Sequence, residues 1–409
     1  MTDYLEESLD KIKHLVSERA LRGETMVLNM GPQHPSTHGV LRLILEIDGE
    51  RIINCIPDVG FLHTGIEKNM EARNYIKAEP STDRIDYMNT MGNNLVYCLA
   101  LEKLVGLDVP ERATVIRVIL AELQRVSSHL LWLGTSILDL GATSPFLYTM
   151  REREHILDIF ELVSGQRMMT TYIRPGGLWR DVPDSFEKMC RDFVKLMRKR
   201  HKEYMDILAK NEILLKRLIG KGVITTEQCF AYGLSGPMIR STGYEYDLRR
   251  AVPYCGYEQY DFDGPTAPDG DVYGRFLVRT EEMLQSLRII EQALDKMPSG
   301  RGRSDDRRFV PPPRSEIGVS MEALIHHFKH WTEGYPAPAE GVYAAIEGPR
   351  GEMGVYMEGN GGPKPHRVHY VTPSFVLIQA LPLIVKGHMI ADVIAAIGSI
   401  DCVLGDCDR

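Results

Sequence analysis

The chain's patterning predicts an α+β fold: a central helical bundle with a small antiparallel sheet before it and a strand-containing region after it. Three observations carry this. Residues 26–30, 40–47 and 51–56 alternate as strands, and Asp48-Gly49 forms a hairpin turn between the last two. From about residue 63 to 168 the apolar spacing becomes helical, with Leu95, Leu99 and Leu101 in one segment and Ile116, Ile119, Leu120, Leu123 and Val126 in the next. Alternation then returns in 342–346, 353–357 and 368–371.

The elements follow in order. Residues 1–24 read as an N-terminal arm, either a polar amphipathic helix or loose, 25–60 as the N-terminal sheet, 61–335 as the bundle core and 336–409 as the strand and helix region. Gly134, Gly141 and Ser144-Pro145 punctuate the first helices, and more helices are expected at 184–218, 227–232, 272–296 and 321–333. Residues 298–314, rich in Arg, Gly and Pro, read as an extended loop on the surface or along a partner. Gly348, Gly351 and Gly354 have GxxGxxG spacing but lie between strands, so they read as hairpin turns rather than a phosphate loop.

Composition narrows the function. With 409 residues the chain has room for a large core, and 48 basic against 56 acidic side chains give a net charge of -8, which disfavours nucleic acid and anionic lipid as main partners. No apolar run approaches the ~20 residues of a membrane helix. The best, 375–385, is broken by Gln379 and Pro382. Asp3, Glu6, Glu7 and Asp10 suit neither a signal peptide nor an arginine-rich transit sequence. Seven scattered cysteines, Cys55, Cys98, Cys190, Cys229, Cys255, Cys402 and Cys407, form no disulfide framework and point to a reducing compartment.

No metal ligand set is expected. The chain contains no Cys-x-x-Cys, His34 and His38 share no helical face, and His326, His327 and His330 sit among Met, Leu and Phe, which suits a structural or partner-facing role. The stretch Asn29 to Gly39 nevertheless places His34 and His38 on a loop between two strands, held by Pro32, Pro35 and Gly39. Binding and proton-transfer residues are often found on such loops.

Five segments in register carry a resemblance. They are the nonapeptide from Gly31, Asp83-Arg84-Ile85-Asp86-Tyr87, Leu138-Asp139-Leu140-Gly141-Ala142, Tyr172-Ile173-Arg174-Pro175-Gly176-Gly177 and Gly405-Asp406-Cys407-Asp408-Arg409. Over about residues 26–409 the chain resembles the D subunit of NADH-quinone oxidoreductase, respiratory complex I, whose fold is similar to that of the nickel-iron hydrogenase large subunit. The resemblance implies a metal-free subunit that passes electrons from an iron-sulfur cluster on the neighbouring B subunit to quinone in a proton-pumping complex. It implies further partners: the C subunit docked on this chain, the H subunit receiving the quinone tail, and the I subunit. The location implied is peripheral, on the cytoplasmic or equivalent organellar face of a membrane.

By the same resemblance, His38 and Tyr87 flank the quinone head group as hydrogen-bond and proton donors, and Asp139 pairs with His38. A carboxylate beside an imidazole is expected to raise its pKa and keep a proton available near neutrality. His34, Thr135, one turn before Asp139, and Cys407 are the other expected quinone-binding residues. Arg84 and Met169 are expected towards the cluster. Respiratory members usually carry histidine at the position of Met169, and a thioether takes up no proton, so the identity of the electron donor, NADH or ferredoxin, stays open. Where the hydrogenases place nickel thiolates near the C-terminus, this chain has Val403 and Asp406, with Cys402 and Cys407 each one residue aside. A membrane-bound hydrogenase large subunit and a scaffold without chemistry are the alternatives.

Overall fold

The computed structural model describes Ser17, Arg19 and residues 22–409. The arm expected over 1–24 lies almost wholly outside them. Strands β1 (Met26–Met30), β2 (Arg42–Asp48) and β3 (Arg51–Asp58) form an antiparallel sheet in chain order, with Leu28 opposite Leu45 and Leu45 opposite Cys55. In β2 the run from Leu43 to Ile47 is buried at every position, so both faces of the strand are covered.

The bundle is built on α1 (Thr90–Val105), α2 (Glu111–Asp139), α3 (Thr143–Ser164), α4 (Ser185–Leu208) and α5 (Val272–Asp295), with α6 (Met321–Thr332) outside it. Helix α1 is buried almost all round, which is why its apolar residues show no clean stripe. Gly134, expected to punctuate, lies inside α2. A Cβ there would strike the Thr149 hydroxyl and come within 3.3 Å of the Phe146 Cα, so the glycine permits a close crossing with α3. The helix expected over 184–218 is interrupted after Leu208, because the Asn211 side chain accepts the N–H groups of Ile213 and Leu214 and starts a new helix, Glu212–Leu218.

The tail forms a meander, β4 (Gly341–Gly348), β5 (Gly351–Glu358) and β6 (Arg367–Val371), followed by α7 (Pro373–Val385), α8 (Ile390–Ile400) and α9 (Leu404–Asp408). Gly348 and Gly351 flank a tight hairpin with Pro349-Arg350 at its tip, as expected. Gly354 does not form a turn. It lies within β5 beneath the Tyr343 ring, where any side chain would collide with the phenol.

Two apolar clusters result. One fills the bundle. The other joins Met30, Leu43 and Leu45 of the first sheet to Leu377, Leu381, Val393 and Cys407 of the tail, so the two ends of the described chain share one core. Within the bundle, Glu122, Arg125, His129, Arg240, Asp247, Arg249, Glu282 and Glu347 form a buried network. Glu282 accepts from Arg240 (3.1 Å), Arg249 (3.2 Å), Arg125 (3.4 Å) and the His129 ring (3.0 Å). Among the described residues, no helix is long and apolar enough to cross a membrane.

Candidate active site

The histidine loop is shaped by its own short side chains. Pro35 opens a single 3-10 turn, Pro35–Thr37, at the position where a missing N–H costs nothing, so the loop carries one helical turn. His34 Nδ1 accepts the Ser36 N–H at 3.2 Å, and buried Thr37 donates its hydroxyl to the carbonyls of Pro32 (3.2 Å) and His34 (3.0 Å). Gly31 closes the loop where a Cβ would collide with the Leu41 carbonyl. The chain leaves through His38 in the left-handed region, φ 55°, and the loop packs against α8.

Tyr87 sits in the turn before α1, pinned from several sides. Asn93 donates to the carbonyls of Thr82 (2.9 Å) and Asp86 (2.8 Å), Asn94 donates to Thr82 Oγ1 and Asp83 Oδ1 (both 2.7 Å), and Gln124 donates to the Met88 carbonyl (2.7 Å). Burial, with the neighbouring Asp86 charge, pushes the Tyr87 phenol up, so it stays a donor throughout the physiological range. Asp139 ends α2. That end is locked to α8, since Trp132 Nε1 (2.7 Å) and the Ser136 hydroxyl (3.2 Å) both donate to the Gly398 carbonyl. Thr135 is half-buried on the same helix and donates back to the carbonyls of Leu131 and Trp132.

The electrostatics correct one expectation. His38 is held below the usual imidazole value, not above it, because desolvation outweighs the pull of Asp401 and then of Asp139, while Arg350 opposes both carboxylates. The residue itself lies in the exposed part of the loop. No hydrogen bond joins His38 to Asp139 among the described residues. Asp139 itself is shifted up by desolvation, with His38 and His34 pulling it down.

Behind these groups is a charge cluster that sequence reasoning left without a role. Arg350, at the β4–β5 hairpin tip, is buried and donates to Asp86 Oδ2 (2.8 Å), to the Asp401 carbonyl (2.6 Å) and to Asp401 Oδ1 (3.4 Å). Arg279 of α5 reaches Asp401 Oδ2 at 3.4 Å. The available signal was an arginine at a glycine-flanked turn between strands, a position that usually faces water.

The other expected residues are dispersed. Arg84 is exposed and donates to the Pro80 carbonyl, while Met169 is half-buried in the loop after α3. Their segments are tied, because the Thr171 N–H donates to Asp83 Oδ2 at 3.1 Å. Cys407 is 4% exposed in the shared core, and burial pushes its thiol up, so the sulfur keeps its proton and is inert. His330 is buried against Tyr335, with ring centroids 5.4 Å apart, whereas Leu324, Ile325 and Phe328 of α6 are exposed.

Comparison with known proteins agrees with this architecture. A sequence model of the family described as the respiratory-chain NADH dehydrogenase 49 Kd subunit matches residues 139–409. A relative from Roseiflexus sp. (strain RS-1), named as the D 2 subunit of NADH-quinone oxidoreductase, is 55% identical over 399 residues, covering 96% of both chains. The protein of the same name from Chloroflexus aurantiacus is 54% identical over 391 residues, 95% of each. The corresponding D 1 subunit from Salinispora arenicola is 49% identical over 407 residues, 95% of this chain and 92% of its own. About half the residues are thus identical along nearly the full length of these relatives, and the chain belongs to the family of the 49 kDa subunit of respiratory-chain NADH dehydrogenase, part of a multisubunit oxidoreductase complex.

Proposed function

We propose that this chain forms one wall of a quinone chamber and that His38 and Tyr87 donate hydrogen bonds, then protons, to the quinone head group. One observation carries the reading. A histidine loop, a tyrosine turn and a helix-terminal aspartate, far apart in sequence, are each separately braced around the C-terminal segment 390–409. Reduction of a quinone to a quinol takes two electrons and two protons, and a bound ring needs donors for its oxygens. Both donors are neutral near pH 7 by the directions of their shifts, so each offers a hydrogen bond first; the Tyr87 phenol releases its proton as charge builds on the quinone oxygen, whereas His38 passes one on only by taking up a proton at its second ring nitrogen and donating as the imidazolium. Asp139 and Asp401 then stabilise the imidazole as it reprotonates. Thr135 and His34 complete the chamber wall in this reading, and Cys407, buried in the shared core, backs it.

Partner subunits supply the rest. The B subunit brings the iron-sulfur cluster towards the Arg84 and Met169 segments, the C subunit docks on the outer surface, and the H and I subunits connect the site to the membrane on its cytoplasmic face. The names of the relatives support an NADH-linked, quinone-reducing complex. The hydrogenase alternative lacks thiols at 403 and 406, and loss of quinone binding by the assembled complex would favour the scaffold alternative. Tyr87→Phe and His38→Ala should assemble normally and lose roughly tenfold to a hundredfold in quinone reduction, since each removes a hydrogen bond of ~1 to 3 kcal/mol. Unchanged turnover with native quinone in both variants would refute the assignment.

A further inference from the structure

Asp406 has no role in the donor pair, yet its surroundings are unusual for a carboxyl group. It has no exposed surface and no ion pair among the described residues, and its hydrogen-bonding neighbours are the hydroxyl and backbone N–H of Ser374, neither in good geometry. The nearby cations are committed: Arg350 to Asp86 and Asp401, Arg279 to Asp401. The groups facing it are Asp86 and Tyr87 from the turn, Arg350 from the hairpin, Ser374 from α7, and Cys402 and Cys407 from its own segment. Ser374 accepts the Val403 N–H at 3.0 Å. An ionised carboxylate here would be a third negative charge with no cation left to pair with, so the group keeps its proton.

Its position relative to Tyr87 is equally constrained. Gly405 lies flush against the tyrosine turn: a Cβ there would be 2.5 Å from the Ile85 carbonyl oxygen and 3.1 Å from both the Arg84 carbonyl oxygen and the Tyr87 ring. No side chain separates the start of α9 from the turn that carries the phenol. Burial, then the Asp86 charge, holds Asp406 well above the usual carboxylate range, with Ser374 and Arg350 pulling the other way too weakly to offset it.

We infer that Asp406 is the proton reservoir of the tyrosine arm, a neutral carboxylic acid that recharges Tyr87 after Tyr87 has protonated the quinone. The inference rests on the quinone-reduction reading. With two electrons delivered to the quinone by the complex's own donor chain, the Tyr87 O–H bond breaks and an O–H bond forms at one quinone oxygen. The tyrosinate then takes the carboxyl proton of Asp406, and the phenol is restored. The resulting carboxylate faces Arg350 and, having no contact with water of its own, regains its proton back through Tyr87 once quinol has left the chamber. The second quinone oxygen is protonated from the His38 side, which completes the quinol.

The test uses the intact membrane complex carrying Asp406→Asn, Asp406→Glu or Tyr87→Phe. Asparagine replaces a neutral acid with a group of the same shape, so that variant is expected to assemble with an unchanged melting temperature. Its kcat for quinone reduction should fall about tenfold or more with KM unaltered, and its rate should decline with rising pH where the native rate is flat. Glutamate should restore most of the rate. Redox-difference infrared spectra of the native complex should contain a protonated-carboxyl C=O band that is missing in Asp406→Asn. A native complex without that band, or an asparagine variant with native kcat and pH profile, overturns the relay. If Tyr87→Phe is slow while Asp406→Asn is not, only the relay fails. If Tyr87→Phe turns over normally, the quinone-donor reading fails with it.

Discussion

At Cys407 the surroundings decide the chemistry. The thiolate is the reactive form, and an apolar, nearly sealed site holds the proton on sulfur. A thiol reagent added to the folded protein should therefore label Cys407 at least tenfold more slowly than after denaturation, as measured by mass spectrometry of the terminal peptide. Rapid labelling of the native protein would show that α9 undocks. The same contrast separates the legible from the hidden at single residues. The loop that holds His34 and His38 is readable from its prolines, because proline constrains the backbone locally. The depressed imidazole of His38 is not, because the sign of its shift depends on a balance of desolvation, Asp401, Asp139 and Arg350, brought together from distant segments.

Among the elements, α6 gives the clearest pH dependence. Burial, then the neighbouring His326, pushes His330 down to about 4 from an ordinary value of 6.5. A histidine whose pKa is lower when folded binds its proton better when unfolded, so stability is intact above about 6.5 and declines as pH falls towards 4. At ~1.4 kcal/mol per unit, this side chain alone accounts for up to about 3 kcal/mol across that window. Urea titrations at pH 7 and pH 4 should show His330→Phe losing less stability on acidification than the native chain by about that amount. An equal loss would mean that the His330 ring is protonated in place. Strands and helices of this kind are legible because their spacing is local: the hairpin at Gly348 and Gly351 and helix α5 fall where the pattern places them. Gly134 and Gly354 look like breaks in the sequence because the groups that require them, Thr149 and Tyr343, come from other elements.

For the whole molecule, the network around Glu282 is the costliest construction. Four cationic or ring donors converge on one carboxylate with no access to water. Glu282→Gln removes the charge that compensates the arginines and should cost about 3–5 kcal/mol, a large share of the roughly 5–15 kcal/mol that holds a typical domain together. Calorimetry should record the drop in melting temperature, and a loss below about 1 kcal/mol would show that water enters the network. The closing of the two chain ends on one core carries a different consequence, one of timing. The Asp408 carboxylate accepts the N–H groups of Gly60 at 2.8 Å and Leu62 at 2.7 Å, across separations of 348 and 346 residues. On a ribosome adding ~5–20 residues per second, Gly60, just after the first sheet, therefore emerges roughly 17–70 s before the segment that clamps it has been made. The clamp on the first sheet is the last part of the described chain to be made, and a nascent chain halted a few residues short of Asp408 carries its bundle helices with the histidine loop still unfastened from the tail.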